Sequence, residues 1–205
     1  RAGTRCMRLL AHAIAPAGYS RWYVALAALC VHLSIGQVYA FSVFNLPLTR
    51  LIGVSAPAAA DWSLAAVSWI FSVAIAVLGL TAAFAGRWLA VLGPRRTVLL
   101  AALCFGGGFW VSGLGIWLHS LPLTILGYGV LGGVGLGLGY ITPVATLMRW
   151  FPDRPGLAAG LAIMGFGGGA IIGAPLAVAL MDAFATATST GVLPAFLTMG
   201  RCIWW

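Results

Sequence analysis

Four long windows of this chain carry no Asp, Glu, Lys or Arg: residues 22–49, 62–86, 97–148 and 155–181. An α-helix rises 1.5 Å per residue and a bilayer's hydrocarbon core is about 30 Å thick, so about 20 apolar residues make one crossing. The first, second and fourth windows each hold one crossing. The third is long enough for two, with its break at His119-Ser120-Leu121-Pro122. A backbone inside lipid must satisfy its own hydrogen bonds, which leaves helices as the economical solution for such runs. The fold class expected is therefore all-α, a polytopic transmembrane helix bundle. Of the 205 residues 62% are hydrophobic and 7% charged, against about 25% charged in soluble domains, which excludes a soluble globular protein.

The net charge is +8. In a soluble protein that would suggest nucleic acid, but its placement assigns it to loops, and no nucleic-acid partner is expected. Arg1, Arg5, Arg8 and Arg21 precede the first span; Arg87, Arg95 and Arg96 lie between spans two and three; Arg149 and Arg154 lie between spans four and five. The other side has Arg50 alone. The positive-inside rule then puts the N-terminus and the arginine-bearing loops in the cytoplasm, with the bundle in a bacterial inner (plasma) membrane. The N-terminal apolar run is too long for a signal-peptide core. The four cysteines, Cys6, Cys30, Cys104 and Cys202, form no CxxC or metal spacing, so no disulfide, metal or cofactor is expected.

The expected organisation is a cytoplasmic N-terminal segment, 1–21, and a bundle, 22–205. Its spans fall at about 22–46, 62–84, 97–118, 123–148 and 156–181, with a partial span at 192–205 that contains Arg201. Asp61 is read as the N-cap of the second helix. Gly93-Pro94 turns the chain into the third. Pro152 and Pro155, with Gly156, turn it into the fifth.

Helices four and five carry glycine rows at four-residue steps: Gly129, Gly133 and Gly137 in one, Gly165, Gly169 and Gly173 in the other. Such rows let helix backbones approach closely where lipid offers no hydrophobic drive. They read either as static packing or as a sliding, water-accessible pair. Gly127, Gly129 and Gly132 spell GxGxxG, but inside an apolar helix rather than after a strand, so no dinucleotide site is expected. Pro143 removes one backbone hydrogen bond beside Tyr140 and Thr142 and predicts a kink. In helix one, Ser34, Gln37, Phe41 and Asn45 recur at helical spacing and predict an inward polar face. His32 is expected to be a neutral histidine bonded to a neighbouring helix. Ser68, Trp69 and Ser72 form a weaker polar and aromatic face on helix two. Trp22, Trp62, Trp88, Trp117 and Trp150 fall near span ends, where tryptophan anchors at the interface. The three carboxylates, Asp61, Asp153 and Asp182, all lie at span ends. No proton relay or catalytic constellation is present, and an enzyme is not expected.

The segment from Gly86 to Arg96, GRWLAVLGPRR, resembles the loop motif of the major facilitator superfamily at Gly86, Gly93, Arg95 and Arg96. Ala90 stands where the family has Asp. The run GLGLGYITPVATLMRWFPDRPGLAAGLAIMGFGGGA, residues 135–170, is similar to the oxalate/formate antiporter family within that superfamily, and GQVYAFSVFNLPL in helix one fits the same family. The resemblance implies the N-terminal six-helix half of a twelve-helix carrier, with the sixth helix incomplete, that exchanges small carboxylate anions across the bilayer. It implies a substrate cavity between two halves, to which Gln37, Tyr39 and Tyr140 would contribute. The cations that balance the anion would come from the missing C-terminal half, and this half alone would not transport. A second expectation of another class is a small membrane scaffold that oligomerises through its glycine rows.

Overall fold

The computed structural model describes residues 20–203. The expected N-terminal segment 1–21 falls almost wholly outside them, as do the last two residues of the partial span.

Six helical segments account for nearly all of the described chain. Helix α1 is Trp22–Leu48. Its middle, Gln37–Phe41, winds as a 3-10 helix. The next helix, Leu64–Trp117, has one non-helical residue, Gly93 at φ 76° and ψ 164°; we treat its two parts as α2 (residues 64–92) and α3 (residues 94–117). Helix α4 is Leu121–Trp150, with a π-helical stretch at Ile125–Gly132. Helix α5 is Pro155–Phe184 and α6 is Val192–Cys202.

The chain reverses at Gly93, as its packing partners show. Along α2, Val73, Val77 and Thr81 meet Gly129, Gly133 and Gly137 of α4 in the same order. Along α3 the order runs backwards: Phe105 meets Gly135, Gly108 meets Gly127, and Gly115 meets Thr124. So α2 lies parallel to α4 and α3 antiparallel to it. The far ends of α2 and α3 accordingly meet: His119 Nε2 donates to the Ala60 carbonyl at 3.0 Å, and its ring stacks on Trp62 at 5.0 Å. A positive φ with extended ψ suits only glycine, and Pro94 cannot supply the N–H that would continue the helix.

Two expectations are corrected here. Residues 85–92, read as part of a loop, continue α2. The run RWLAVL has no turn-forming residue before Gly93, so nothing stops the helix earlier. Asp61 does not cap α2; Ser63 does, its Oγ accepting from Ala66 N at 3.2 Å. The Asp61 carboxylate instead accepts N–H bonds from Ile52 (2.8 Å), Gly53 (3.0 Å) and Ala58 (2.8 Å), and so closes the α1–α2 loop on itself. Its burial opposes ionisation, but these three donors and nearby His119 outweigh that and hold its pKa below the usual carboxylate value.

The main core is rich in aromatic rings and draws on all six helices. Phe41 lies 4.8 Å from Tyr128, Phe44 4.8 Å from Phe196, and Phe109 5.1 Å from Tyr128, ring centre to ring centre. Outside, large apolar side chains such as Leu80, Phe84, Leu99, Ile163 and Ile171 are exposed. A water-facing surface would not carry them in this density. Four helices are long and apolar enough to cross a membrane, the joined α2–α3 counted as one.

Candidate functional site

Two parallel helix pairs set the frame for any site: α2 with α4, and α1 with α5. In the second pair, Gly165 receives Leu29 and His32, Gly169 lies against Leu33 and Gly36, and Gly173 receives Gln37 and Ala40. A methyl group on Gly169 would come 2.5 Å from the Gly36 backbone, and one on Gly133 would come 2.8 Å from Val77. Both rows thus hold backbones at distances a side chain would forbid. Gly36 presses against the Phe166 carbonyl from the other side of the same seam.

The 3-10 turn in α1 changes which residues share a face. A 3-10 helix has 3.0 residues per turn against 3.6, so each residue turns about 20° further and five residues accumulate about 100°. The expected stripe Ser34-Gln37-Phe41-Asn45 is therefore broken. Ser34 is exposed and its Oγ donates to its own helix at Cys30 O, 2.9 Å. Phe41 is fully buried in the aromatic core.

The three candidate residues divide between two places, as Gln37 and Tyr39, two residues apart, would on any helix. Tyr39 and Tyr140 meet across Phe166, whose ring centre lies 5.2 Å from Tyr39 and 5.0 Å from Tyr140. His32 stands behind them, 5.7 Å from the Tyr140 ring and 6.3 Å from Phe166. His32 is fully buried, and its Nε2 lies 3.3 Å from the Tyr140 carbonyl. A carbonyl can only accept, so Nε2 carries the hydrogen and Nδ1 is an acceptor with no partner among the described residues. Tyr39 remains half exposed, at 46%. Gln37 lies on the other flank of α1, in a cleft of about 180 Å³ with Ser34, Gly173 and Cys202. Phe166, at the centre of this junction, belongs to the run of residues 135–170 that carries the family resemblance, but nothing in the sequence set it apart as the residue joining the two tyrosines.

Gly86 stands in open space, and Arg95 and Arg96 are exposed just past the Gly93 reversal. At the same end of the bundle, Arg21 grips Asp153 in a two-pronged pair, Nη1 to Oδ1 at 2.6 Å and Nη2 to Oδ2 at 2.9 Å. Its guanidinium lies 4.8 Å over the Phe151 ring, and Trp22 meets Phe151 edge-on at 5.4 Å. The hydrogen bond from Arg21 holds the Asp153 carboxyl below its ordinary pKa and raises that of Arg21. This clasp ties the start of α1 to the α4–α5 turn. Asp182 is exposed near the end of α5.

Helices long and apolar enough to cross a bilayer, an apolar exterior and charge confined to helix ends define a multi-pass membrane protein. Residues 27–205 match the model of the Major Facilitator Superfamily, and the chain belongs to that family. It is 34% identical over 125 residues to apicoplast pyruvate carrier 1 of Toxoplasma gondii, covering 60% of this chain and 22% of that protein. It is 31% identical over 161 residues to the oxalate:formate antiporter of Oxalobacter formigenes, covering 77% and 35%. It is 32% identical over 171 residues to monocarboxylate transporter 13 of Rattus norvegicus, covering 83% and 37%. The chain thus spans between 22% and 37% of the length of these relatives.

Proposed function

We propose that this chain forms one half of a carrier for small carboxylate anions, close in kind to the oxalate/formate exchangers, and that it works by alternating access against a second helical half. The observation that carries the reading is the similarity, over most of the chain, to carriers named for pyruvate, oxalate, formate and monocarboxylates. The geometry supports it at one place. Tyr39, Phe166 and Tyr140 join α1, α5 and α4 into an aromatic wall with one tyrosine half exposed. Aromatic edges and phenol hydroxyls both favour a carboxylate. Gln37 would serve a second, separate polar contact on the far flank of α1.

The counter-charge for the anion is assigned to the second half. Within α1–α5 every described arginine lies in the last or first two turns of a helix: Arg87, Arg95, Arg96 and Arg149. The arginine-rich end is assigned to the cytoplasm of a bacterial cell, by the distribution of Arg across the loops.

The deciding experiment is uptake of radiolabelled oxalate, formate and pyruvate into proteoliposomes. The chain would be assayed alone and together with a separately expressed C-terminal half of the oxalate:formate antiporter. Uptake only when both are present is the expected result. A chain that forms a stable homodimer, and gives no carboxylate-dependent uptake or binding with the second half, would favour the scaffold reading.

A further inference from the structure

A groove of about 350 Å³ opens between the arginine-rich ends of α1, α3 and α4. Val24 and Val31 of α1, Val98 of α3, and Thr142 and Thr146 of α4 form its wall, and Arg95 stands on its rim. Both threonine hydroxyls are already spent on their own helix, donating to the Leu138 and Thr142 carbonyls at 2.7 Å. The wall therefore presents no unmet hydroxyl, and a free carboxylate seated against it, below the Arg95 rim, would lose hydration without gaining a donor. The surface beside it is apolar: Leu26 follows the α1 lining at 59% exposure and Leu99 follows Val98 at 62%. The rim has the opposite character. Arg95 and Arg96 are exposed, and the ion pairs found among the described residues all use Asp153, which belongs to the clasp with Arg21 and Arg154.

We propose that this groove holds one acyl chain of an anionic phospholipid, with the lipid phosphate on Arg95 and Arg96. An apolar trough that ends at guanidinium groups with no ion pair among the described residues matches the two ends of such a molecule; a zwitterionic lipid offers the chain without the net negative charge, and a small soluble anion offers the charge without the chain. Val24 to Val31 is seven residues, about 10 Å of helix, so the trough reaches from the interface well into the hydrocarbon. Arginines at a membrane surface each raise affinity for anionic lipid by about fivefold.

The test is native mass spectrometry of the 205-residue chain in neutral detergent, titrated with dioleoyl phosphatidylglycerol or dioleoyl phosphatidylcholine. Phosphatidylglycerol should bind at least tenfold more tightly. The double variant R95Q/R96Q should bind the two lipids alike. Ala27→Trp, at an exposed position of the groove wall, should weaken both lipids while the helical circular dichroism stays unchanged. Glycerol 3-phosphate at millimolar concentration should displace neither. Equal binding of the two lipids by the unmodified chain would overturn the proposal, as would an unchanged preference in R95Q/R96Q. So would full lipid retention in the A27W variant, or displacement by glycerol 3-phosphate, which would make this a site for a free anion.

Discussion

Glycine does its work in this protein by what it leaves out. At Gly169 a single added methyl group meets the Gly36 backbone, which cannot rotate away as a side chain would. Gly169→Ala is expected to destabilise the bundle by about 1–3 kcal/mol, the usual range for overpacking. Gly167→Ala, two residues along the same helix and facing open space, is expected to stay within about 0.5 kcal/mol. Thermal unfolding of both variants in detergent separates a tight seam from a general intolerance of α5. Tyr39 makes the contrasting case. Its ring is half exposed, so Tyr39→Phe should leave stability unchanged within about 0.5 kcal/mol. If its hydroxyl meets a carboxylate, losing that charged hydrogen bond should weaken binding by about tenfold or more. Substrate concentration dependence in the two-half uptake assay reads this directly, and an unchanged KM would remove Tyr39 from the proposed wall.

Among elements, long ones were easier to read than their internal geometry. Charge-free windows are a property of composition, so the existence of the helices and the reversal at Gly93-Pro94 could be read from the sequence. The end of α2 could not, because residues 87–92 are interfacial in composition yet contain no residue that ends a helix. The 3-10 turn at Gln37–Phe41 and the π stretch at Ile125–Gly132 were invisible for a different reason. Neither has a residue pattern of its own. Each has a close backbone approach beside it, Gly36 against Phe166 and Gly127 against Ser112, which no one-dimensional residue pattern displays. A face drawn at 3.6-residue spacing therefore joined Ser34 to Phe41, which the structure separates.

The clasp at the arginine-rich end belongs to this scale too. Asp153 titrates lower in the folded protein than in an unfolded chain, so its stabilising contribution is complete above about pH 4, the ordinary carboxylate value. It is lost as pH falls through the lower folded value. Amide exchange at Trp150, Phe151, Asp153, Arg154 and Gly156 should be constant from pH 7 to 5 after correction for intrinsic rate, then rise below about pH 4. In Asp153→Asn it should be raised already at pH 7 and lack the acid step. The Asp61 loop should behave likewise at the other end: Asp61→Asn should speed exchange at Ile52, Gly53 and Ala58. No change at those three amides would mean that the loop is held by something other than this carboxylate.

At the scale of the whole molecule, the bundle is two parallel pairs, α1 with α5 and α2 with α4, backed by α3 and α6. A rocking carrier needs stiff parts more than soft ones, and backbone-to-backbone seams have no rotamers to absorb a displacement. Each pair is expected to move as a body. Spin labels placed on Leu26 and Ile163, both exposed, should keep one distance whether or not a carboxylate is bound in the two-half assembly. A change above about 2 Å, the scale of a helix shift in switching proteins, would mean that the α1–α5 seam itself slides.

The overwound turn in α1 adds a length to that account. Five residues at about 2.0 Å rise instead of 1.5 Å make α1 about 2.5 Å longer than a uniform helix of the same residues. Relaxing the turn would shorten the rod by that length and turn its two ends against each other by about 100°. The turn thus couples a length to an angle: the α1–α5 seam can stay as it is only while these five residues stay overwound.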